Sequence, residues 1–263
     1  MHALTRCIFL LCLVIVSGCN QDSLIAKFTP HPEAEIARQA IDDWRTGHVD
    51  RIKPLLSAQL AAITDQLVAG APHLSSATPR SVKVVGVREH VLNSVKQFDI
   101  TYEYAFESRW MIADVVIVEQ GDRREIAGMH AQMEDRSLEQ IHAFTLVNKD
   151  AAHYLALCLA CVSTLVCLTA FVLCLCTPMR RHKAWWALFT LVGLVTWHFN
   201  WTTGQLDFRP VSFQLFSASA TGSAYGPWIL GVSIPVGAIW FLIRRRKLAT
   251  PRGEPGRPST QAP

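Results

Sequence analysis

Residues 20–157 contain no cysteine, although the chain has eight. A region without cysteine forms no disulfide and offers no thiol for catalysis or zinc binding. Cys158 and Cys161 have the spacing of half a zinc or redox site, but no second pair or histidine follows at a matching distance, so we interpret them as small packing residues of an apolar helix. The cysteines are Cys7, Cys12, Cys19, Cys158, Cys161, Cys167, Cys174 and Cys176.

Charged residues are scarce as well, at 17% of 263 residues, whereas half of the chain is hydrophobic. Residues 20–150 have the mixture of an ordinary globular domain, and residues 151–243 are dominated by long apolar runs, which indicates membrane segments. Two basic clusters flank these runs. Such clusters orient membrane segments, so we predict no nucleic-acid partner. The clusters consist of Arg180, Arg181 and Lys183, and of Arg244, Arg245, Arg246 and Lys247.

Motifs that hold cofactors are missing too. The sequence has no phosphate-binding glycine loop, no nucleophile elbow and no HExxH-type metal motif. We therefore predict no cofactor and no metal, and we assign no catalytic residue. This favours a binding role over an enzymatic one.

The N-terminus carries the most specific motif. One positive residue, Arg6, precedes about ten apolar residues, the length of the core of a secretory signal. The sequence LVIVSGCN follows at residues 13–20, and its Val16-Ser17-Gly18-Cys19 resembles the bacterial lipobox. The resemblance implies a signal peptide over 1–18, acylation of Cys19 with fatty chains such as palmitate, and a tether over 19–32. The alternative is an uncleaved signal anchor with an incidental cysteine.

Helix periodicity and then strand alternation characterise residues 33–146. Ile36, Ala40, Ile41 and Trp44 recur at helical spacing before Gly47, and a second helix is predicted over about 49–69, with Pro54 kinking or dividing it. Alternation then predicts four strands, in SVKVVGV, FDITYEYAFE, RWMIADVVIVEQ and REIAGMHAQM, followed by a short helix in SLEQIHAF.

This layout predicts an α+β domain with helices packed on a curved antiparallel sheet. The segment IARQAIDDWRTGHVDRIKPLLS is similar to the first two helices of the nuclear transport factor 2-like (NTF2-like, or cystatin-like) family. The resemblance implies a cone whose mouth is a pocket for a ligand or a partner. Candidate pocket residues are Asp43, Trp44, Tyr102, Tyr104, Asp114 and His130. The aromatic residues among them also fit a core between helix and sheet.

Three apolar runs predict three transmembrane helices, over 151–177, 184–201 and 227–243. Residues 178–183 would form a cytoplasmic loop, 202–226 a periplasmic loop, and 244–263 a disordered cytoplasmic tail. Both basic clusters would then lie on the cytoplasmic side, with the globular domain in the periplasm. His198 and Asn200 fall near the outer end of the second run, where we expect them to be hydrated.

Together these patterns predict a bacterial inner-membrane lipoprotein that presents a periplasmic domain to a small-molecule ligand or to another envelope protein. Two alternatives stay open. One is an isomerase or hydrolase that uses the same cone, and the other is a structural subunit of a membrane complex.

Overall fold

A computed structural model describes residues 21–121, 123–179 and 182–249. The chain divides into two compact units, which we call unit 1 (up to Ile141) and unit 2 (from His142). The predicted signal peptide over 1–18, Cys19, Arg180, Arg181 and the end of the tail lie outside the described residues.

Unit 1 begins with helices broken by proline and glycine. The predicted amphipathic helix is present, with Ala37, Ala40, Ile41 and Trp44 buried along one side. The predicted second helix is divided into short α-helices and 3₁₀ turns. Pro54, which cannot donate a backbone hydrogen bond inside a helix, lies at the first division, as one of the two expectations for it has it. The elements are α1 (Gln21–Phe28), α2 (His31–Arg45), α3 (Val49–Ile52), a 3₁₀ turn (Lys53–Leu55), α4 (Ala58–Ala61), α5 (Thr64–Gly70) and a second 3₁₀ turn (Ala71–His73).

All four predicted strands of unit 1 are present and form one antiparallel sheet, sheet 1, in the order β1-β2-β3-β4. Asn93 and Ser94 make the tight turn between the first two strands, both with positive φ, as a two-residue hairpin turn requires. The elements are β1 (Ser81–Leu92), β2 (Val95–Ala105), β3 (Trp110–Gln120), β4 (Arg123–Glu134) and a closing helix α6 (Leu138–Ile141). The α+β class with antiparallel strands is thus confirmed.

The core of unit 1 lies between α2 and one face of sheet 1. Alternate residues of β2, including Ile100, Tyr102 and Tyr104, point into it together with Met111 and Val115 of β3. This is the face that the alternation of FDITYEYAFE predicts. The helices fill the concave side of the sheet with side chains.

Unit 2 consists of one long helix, two shorter helices and a second sheet. Its elements are α7 (Ala151–Cys176), α8 (Lys183–Thr190), β5 (Val192–Asn200), β6 (Leu206–Leu215), β7 (Ala218–Ser223), β8 (Gly226–Ile234) and α9 (Val236–Leu248). The strands pair antiparallel as sheet 2, in the order β6-β5-β8-β7.

The prediction of three transmembrane helices is wrong. Among the described residues only α7 is long and apolar enough to cross a membrane. The run over 184–201 is half helix and half strand, and the run over 227–243 is a strand followed by α9. The strand halves are rich in Val, Thr, Trp, Phe and Ile, which favour extended backbone, and Pro235 then ends β8 and begins α9.

Two neighbouring predictions also change. The predicted loop over 202–226 contains β6 and β7, and the predicted disordered tail begins inside α9, which continues to Leu248. Both interrupted segments nevertheless run along α7. At the start of α7, Nε2 of His153 lies 3.1 Å from the carbonyl oxygen of Trp201, just after β5. At the other end, Arg245 of α9 donates a hydrogen bond to Thr177.

Candidate functional site

The three aromatic residues predicted for a pocket in unit 1 are core residues. The indole nitrogen of Trp44 donates to the Leu67 carbonyl at 2.7 Å, and the Tyr102 hydroxyl donates to the Ala34 carbonyl at 2.5 Å. The Tyr104 hydroxyl is buried and has no partner among the described residues. Burial raises the pKa of Tyr102 to about 12 and raises that of Tyr104 further. These side chains stabilise the packing between helix and sheet.

The other three predicted residues lie apart from this core. Asp43 forms an ion pair with Arg51 at 3.2 Å. Asp114 and His130 are register partners on β3 and β4, on the face of sheet 1 that points away from α2, where Thr101 donates to Asp114 at 2.5 Å. The structure thus brings Asp114 and His130 together but not with the others. That any of the six binds a ligand stays a prediction.

One cleft of about 320 Å³ opens in unit 1 beside Arg45. The guanidinium of Arg45 is already engaged, since it donates to Asp42 at 2.7 Å and to the Ala77 carbonyl at 2.9 Å. This arginine holds the loop after α5 against α2, which is a structural role.

A larger cleft, of about 670 Å³, lies on sheet 2, and we call it the polar cleft. Its lining comes from all four strands and the turn between β5 and β6. The lining side chains are polar except for Leu206 and Ile229. The polar ones are His198, Asn200, Gln205, Asp207, Arg209, Ser219 and Thr221.

Strand register explains why these side chains converge. Asp207 of β6, His198 of β5, Gly231 of β8 and Ser219 of β7 form one row across the sheet. Facing residues of neighbouring strands point to the same side. The row therefore crosses the polar cleft from one edge of sheet 2 to the other.

The two faces of sheet 2 differ sharply in polarity. The face opposite the cleft carries Phe199 and Leu230, which pack with Trp201 against the first turns of α7. The cleft face continues with hydroxyl side chains towards the β6–β7 turn, where Ser212 donates to Thr196 at 2.5 Å. One face of the sheet is thus apolar and is covered by α7 at its central strands, and the other is lined by hydrogen-bonding groups.

The outer strands of sheet 2 meet above this polar face. The Gln214 amide on β6 donates to the Ser219 hydroxyl on β7 at 2.7 Å. Glycine makes this approach possible, because a Cβ at Gly231 would lie 2.4 Å from Ser219 Oγ, and one at Gly193 would lie 2.0 Å from Ser233 Oγ. Sheet 2 therefore curls into a trough that is narrow near the β6–β7 turn and open at the polar cleft.

Unpartnered polar atoms concentrate in this trough. Four buried side-chain atoms of the described residues have no hydrogen-bond partner, and three belong to the cleft face: His198 Nδ1, Gln214 Oε1 and Ser233 Oγ. Nearly all buried polar atoms in proteins are paired, so such a cluster needs a physical reason. Of the three residues, His198 lines the cleft, so a polar molecule bound there would supply a partner for its Nδ1.

The wall of the cleft carries one pair of opposite charges. Arg209 and Asp207 form an ion pair at 3.3 Å on its wall. His198 shares a row with Asp207 and Ser219, but within the described part of the chain no hydrogen bond joins it to either one, and the Ser219 hydroxyl accepts from Gln214 instead. Across the same described ranges, no three His, Cys, Asp or Glu side chains meet as metal ligands.

The cleft could be found only in part from the sequence. His198 and Asn200 stand out as polar residues in an apolar run, but Asp207, Arg209, Ser219 and Thr221 fall in what the hydropathy pattern assigns to a loop. The signal that does exist is the polar and apolar alternation of VSFQLF, which is typical of a half-buried strand. No family model, curated protein or solved structure matches this chain.

Proposed function

We propose that this chain is a membrane-anchored binding protein, with α7 as its membrane span and the polar cleft as its ligand site. The 26 residues of α7 extend about 39 Å, enough to cross a bilayer. Its most apolar stretch is only 22% buried, whereas the core helix of a soluble protein is mostly covered. Exposed apolar residues lie along its length: Leu155, Leu159, Val162, Leu165, Leu168 and Val172.

The proposed orientation follows from the basic residues. Cys174 Sγ near the end of α7 lies 3.9 Å from the carbonyl oxygen of Lys183, and Arg245 bonds to Thr177. Lys183 of the first cluster and Arg245 of the second therefore lie at the same end of α7, although the spans assumed between them are not all helical. The positive-inside rule puts that end in the cytoplasm. Unit 1 precedes α7 in the chain and would lie in the periplasm of a bacterial inner membrane.

Acylation of Cys19 would tether the other end of unit 1 to the same membrane. One acyl chain binds a bilayer only marginally, but several chains or a chain plus a span anchor stably. The NTF2-like assignment of unit 1 remains part of this proposal, supported by one long helix packed across a four-stranded meander. Since its concave side is filled by Trp44, Tyr102 and Tyr104, we assign ligand binding to unit 2.

The observation that carries the proposal is the polar cleft with its unpartnered His198, and a matched pair of variants tests it. The full-length protein in detergent is heated with a panel of small polar compounds that includes sugars, anions, amines and zwitterions. A ligand that binds the folded state raises its melting temperature by mass action. His198→Phe, which keeps a ring but removes both nitrogens, should abolish the shift that the wild type gives.

His90→Phe is the control, because His90 is an exposed residue of β1 in unit 1. It should leave the shift unchanged. If no compound raises the melting temperature, or if His198→Phe responds like the wild type, the polar cleft is not a ligand site. A role as a structural subunit of a membrane complex would then be the better explanation of unit 2.

A further inference from the structure

We infer that the ligand of the polar cleft is a zwitterionic group, an ammonium beside a phosphate, presented as the head group of a phospholipid. This inference rests on the proposed function and specifies its ligand. Its starting point is the pair Asp207 and Arg209, two opposite charges that both line the cleft, with their side chains 3.3 Å apart.

A single charge does not suit this wall. An anion that approaches Arg209 also meets the carboxylate of Asp207, and a cation that approaches Asp207 meets the guanidinium. A group that carries both charges side by side can pair with both residues. Replacing the Asp207–Arg209 ion pair by contacts with such a ligand costs little, because both side chains are largely solvent-exposed and an exposed ion pair contributes little to stability.

Neutral groups of the cleft complement this recognition. Thr221 and Gln205 line it with side-chain donors and acceptors, and His198 Nδ1 has no partner among the described residues. A phosphate has several acceptor oxygens beyond those that an arginine can engage, and a hydroxyl or amide suits the remaining ones. The same wall thus offers a charged contact and neutral hydrogen bonds.

The surroundings of the cleft favour a lipid as the source of the head group. Leu206 lines the cleft, and β6 continues with large apolar side chains that lie exposed, notably Val211 at 88% and Phe213 at 81%. Unit 2 also exposes the apolar side of α7. Val211 and Phe213 alternate with Ser212 and Gln214 of the cleft face. Because β6 is an edge strand, an acyl chain attached to a head group in the cleft would reach this apolar surface around the edge of sheet 2.

The test measures the affinity of the full-length protein in a neutral sugar detergent for three probes. These are dihexanoyl phosphatidylethanolamine, dihexanoyl phosphatidylglycerol and glycerophosphoethanolamine, which has the zwitterion without chains. The wild type should bind the ethanolamine lipid about tenfold more tightly than the glycerol lipid, the factor for one hydrogen bond to a charged group. Asp207→Asn should reverse this preference, and Arg209→Gln should weaken both lipids.

Unit 1 supplies a matched control, because Arg123 and Glu125 form an ion pair with the same two-residue spacing on β4. Glu125→Gln and Arg123→Gln should leave all affinities unchanged. A preference that reverses only with Asp207→Asn is not explained by a structural role of the pair, since loss of folding weakens every probe alike.

Three results would overturn the inference, each in a different way. Equal affinity for both lipids in the wild type and in Asp207→Asn would reject the zwitterion as the ligand. The polar cleft would remain the ligand site if His198→Phe still lowers the affinity for both lipids. If glycerophosphoethanolamine binds as tightly as dihexanoyl phosphatidylethanolamine, the acyl chains contribute nothing, and a lipid as the source of the head group is rejected. Failure of all three probes, when another compound of the panel binds in a His198-dependent way, would reject the ligand class and leave the proposed function intact.

Discussion

Unit 1 and unit 2 arrange polar and apolar side chains in opposite ways. In unit 1 the apolar faces of α2 and sheet 1 meet in a closed core, and the charged residues lie outside it except for a few that are buried at its border, such as Glu33 and Arg45. In unit 2 the hydrogen-bonding side chains line the inside of a curled sheet, while large apolar residues of α7, β6 and α9 are exposed. One chain thus contains a segment suited to water and a segment suited to an apolar medium.

The edges of sheet 2 add a constraint to this comparison. An open sheet leaves backbone groups unpaired at its edges, which is too costly in the hydrocarbon of a bilayer. The two edge strands are β6 and β7, joined by the Gln214–Ser219 hydrogen bond but not by a continuous ladder. The Ser217 hydroxyl at the β6–β7 turn lies 3.2 Å from Cys167 Sγ near the middle of α7, so that end of sheet 2 reaches below the head groups and its edges there need cover from protein. We expect only the other end of sheet 2, beside Trp201 and the start of α7, at the head-group level, where water can satisfy the edges. The polar cleft would then be at the depth of the phospholipid head groups.

The largest effect should come from shortening buried side chains in unit 1. Ile41 of α2 is fully buried, so Ile41→Ala should lower the free energy of unfolding of unit 1 by roughly 2–5 kcal/mol, through lost burial and a cavity. The equivalent change on the exposed side of α7, Leu159→Ala, removes no packed neighbour and should have little effect. Hydrogen exchange of the full-length protein in detergent, followed by peptide in a urea series, measures both. Equal losses would contradict the contrast between a closed core and an exposed apolar helix.

Aspartate substitutions at two equally exposed positions distinguish a membrane environment from water more directly. Leu165 at the middle of α7 and Val91 near the end of β1 are 61% and 63% exposed. An aspartate at the centre of a membrane span costs about 3 kcal/mol, whereas on a water-exposed strand it costs almost nothing. In a Cys19→Ala background, which removes the proposed acyl anchor, Leu165→Asp should therefore reduce the fraction of protein that resists carbonate extraction from membranes, and Val91→Asp should not. Full retention of Leu165→Asp would contradict a membrane location of α7.

The same contrast explains how far the sequence could predict the structure. In unit 1, the alternation through Ile100, Tyr102 and Tyr104 predicts the correct strand and face, because one side of a sheet in water must be covered. In unit 2, hydropathy marks the run around Trp197 and Phe199 as apolar but does not say which backbone conformation it takes. Strand pairing there depends on long-range partners, such as Gly231 opposite His198.

Most of the candidate site was beyond prediction for a related reason. Asp207 and Ser219 come together with His198 only through the register of four strands, and the curl depends on the absence of a side chain at Gly193 and Gly231. None of these facts is local in the sequence. In unit 1, by contrast, the sequence contains the necessary signal. Tyr102 and Tyr104 lie on the apolar side of an alternating strand, which is consistent with the core positions that they occupy.

The smallest effects should come from two neighbouring tyrosines of the closed core. The Tyr102 hydroxyl donates to Ala34, but the Tyr104 hydroxyl has no partner among the described residues. At neutral pH, Tyr102→Phe should therefore lower the free energy of unfolding of unit 1 by about 1 kcal/mol, the value of one hydrogen bond and of the carbonyl it leaves unpaired. Tyr104→Phe should be neutral or stabilising, since it removes a buried polar atom that bonds to nothing. Equal losses in a urea titration would mean that Tyr104 has a partner.

Alkaline pH should reduce the difference in the free energy of unfolding between the wild type and Tyr102→Phe. Burial raises the pKa of Tyr102 from 10.0 to about 12 in the folded protein. Its contribution to stability is thus complete below pH 10, and it decreases as the pH rises through 12, because the unfolded chain loses the phenolic proton first. Phenylalanine has no proton to lose, so the deficit of Tyr102→Phe relative to the wild type should shrink between pH 10 and 12. Urea titrations across this range measure it, and a deficit that stays constant with pH would mean that the Tyr102 phenol is accessible to water in the folded state.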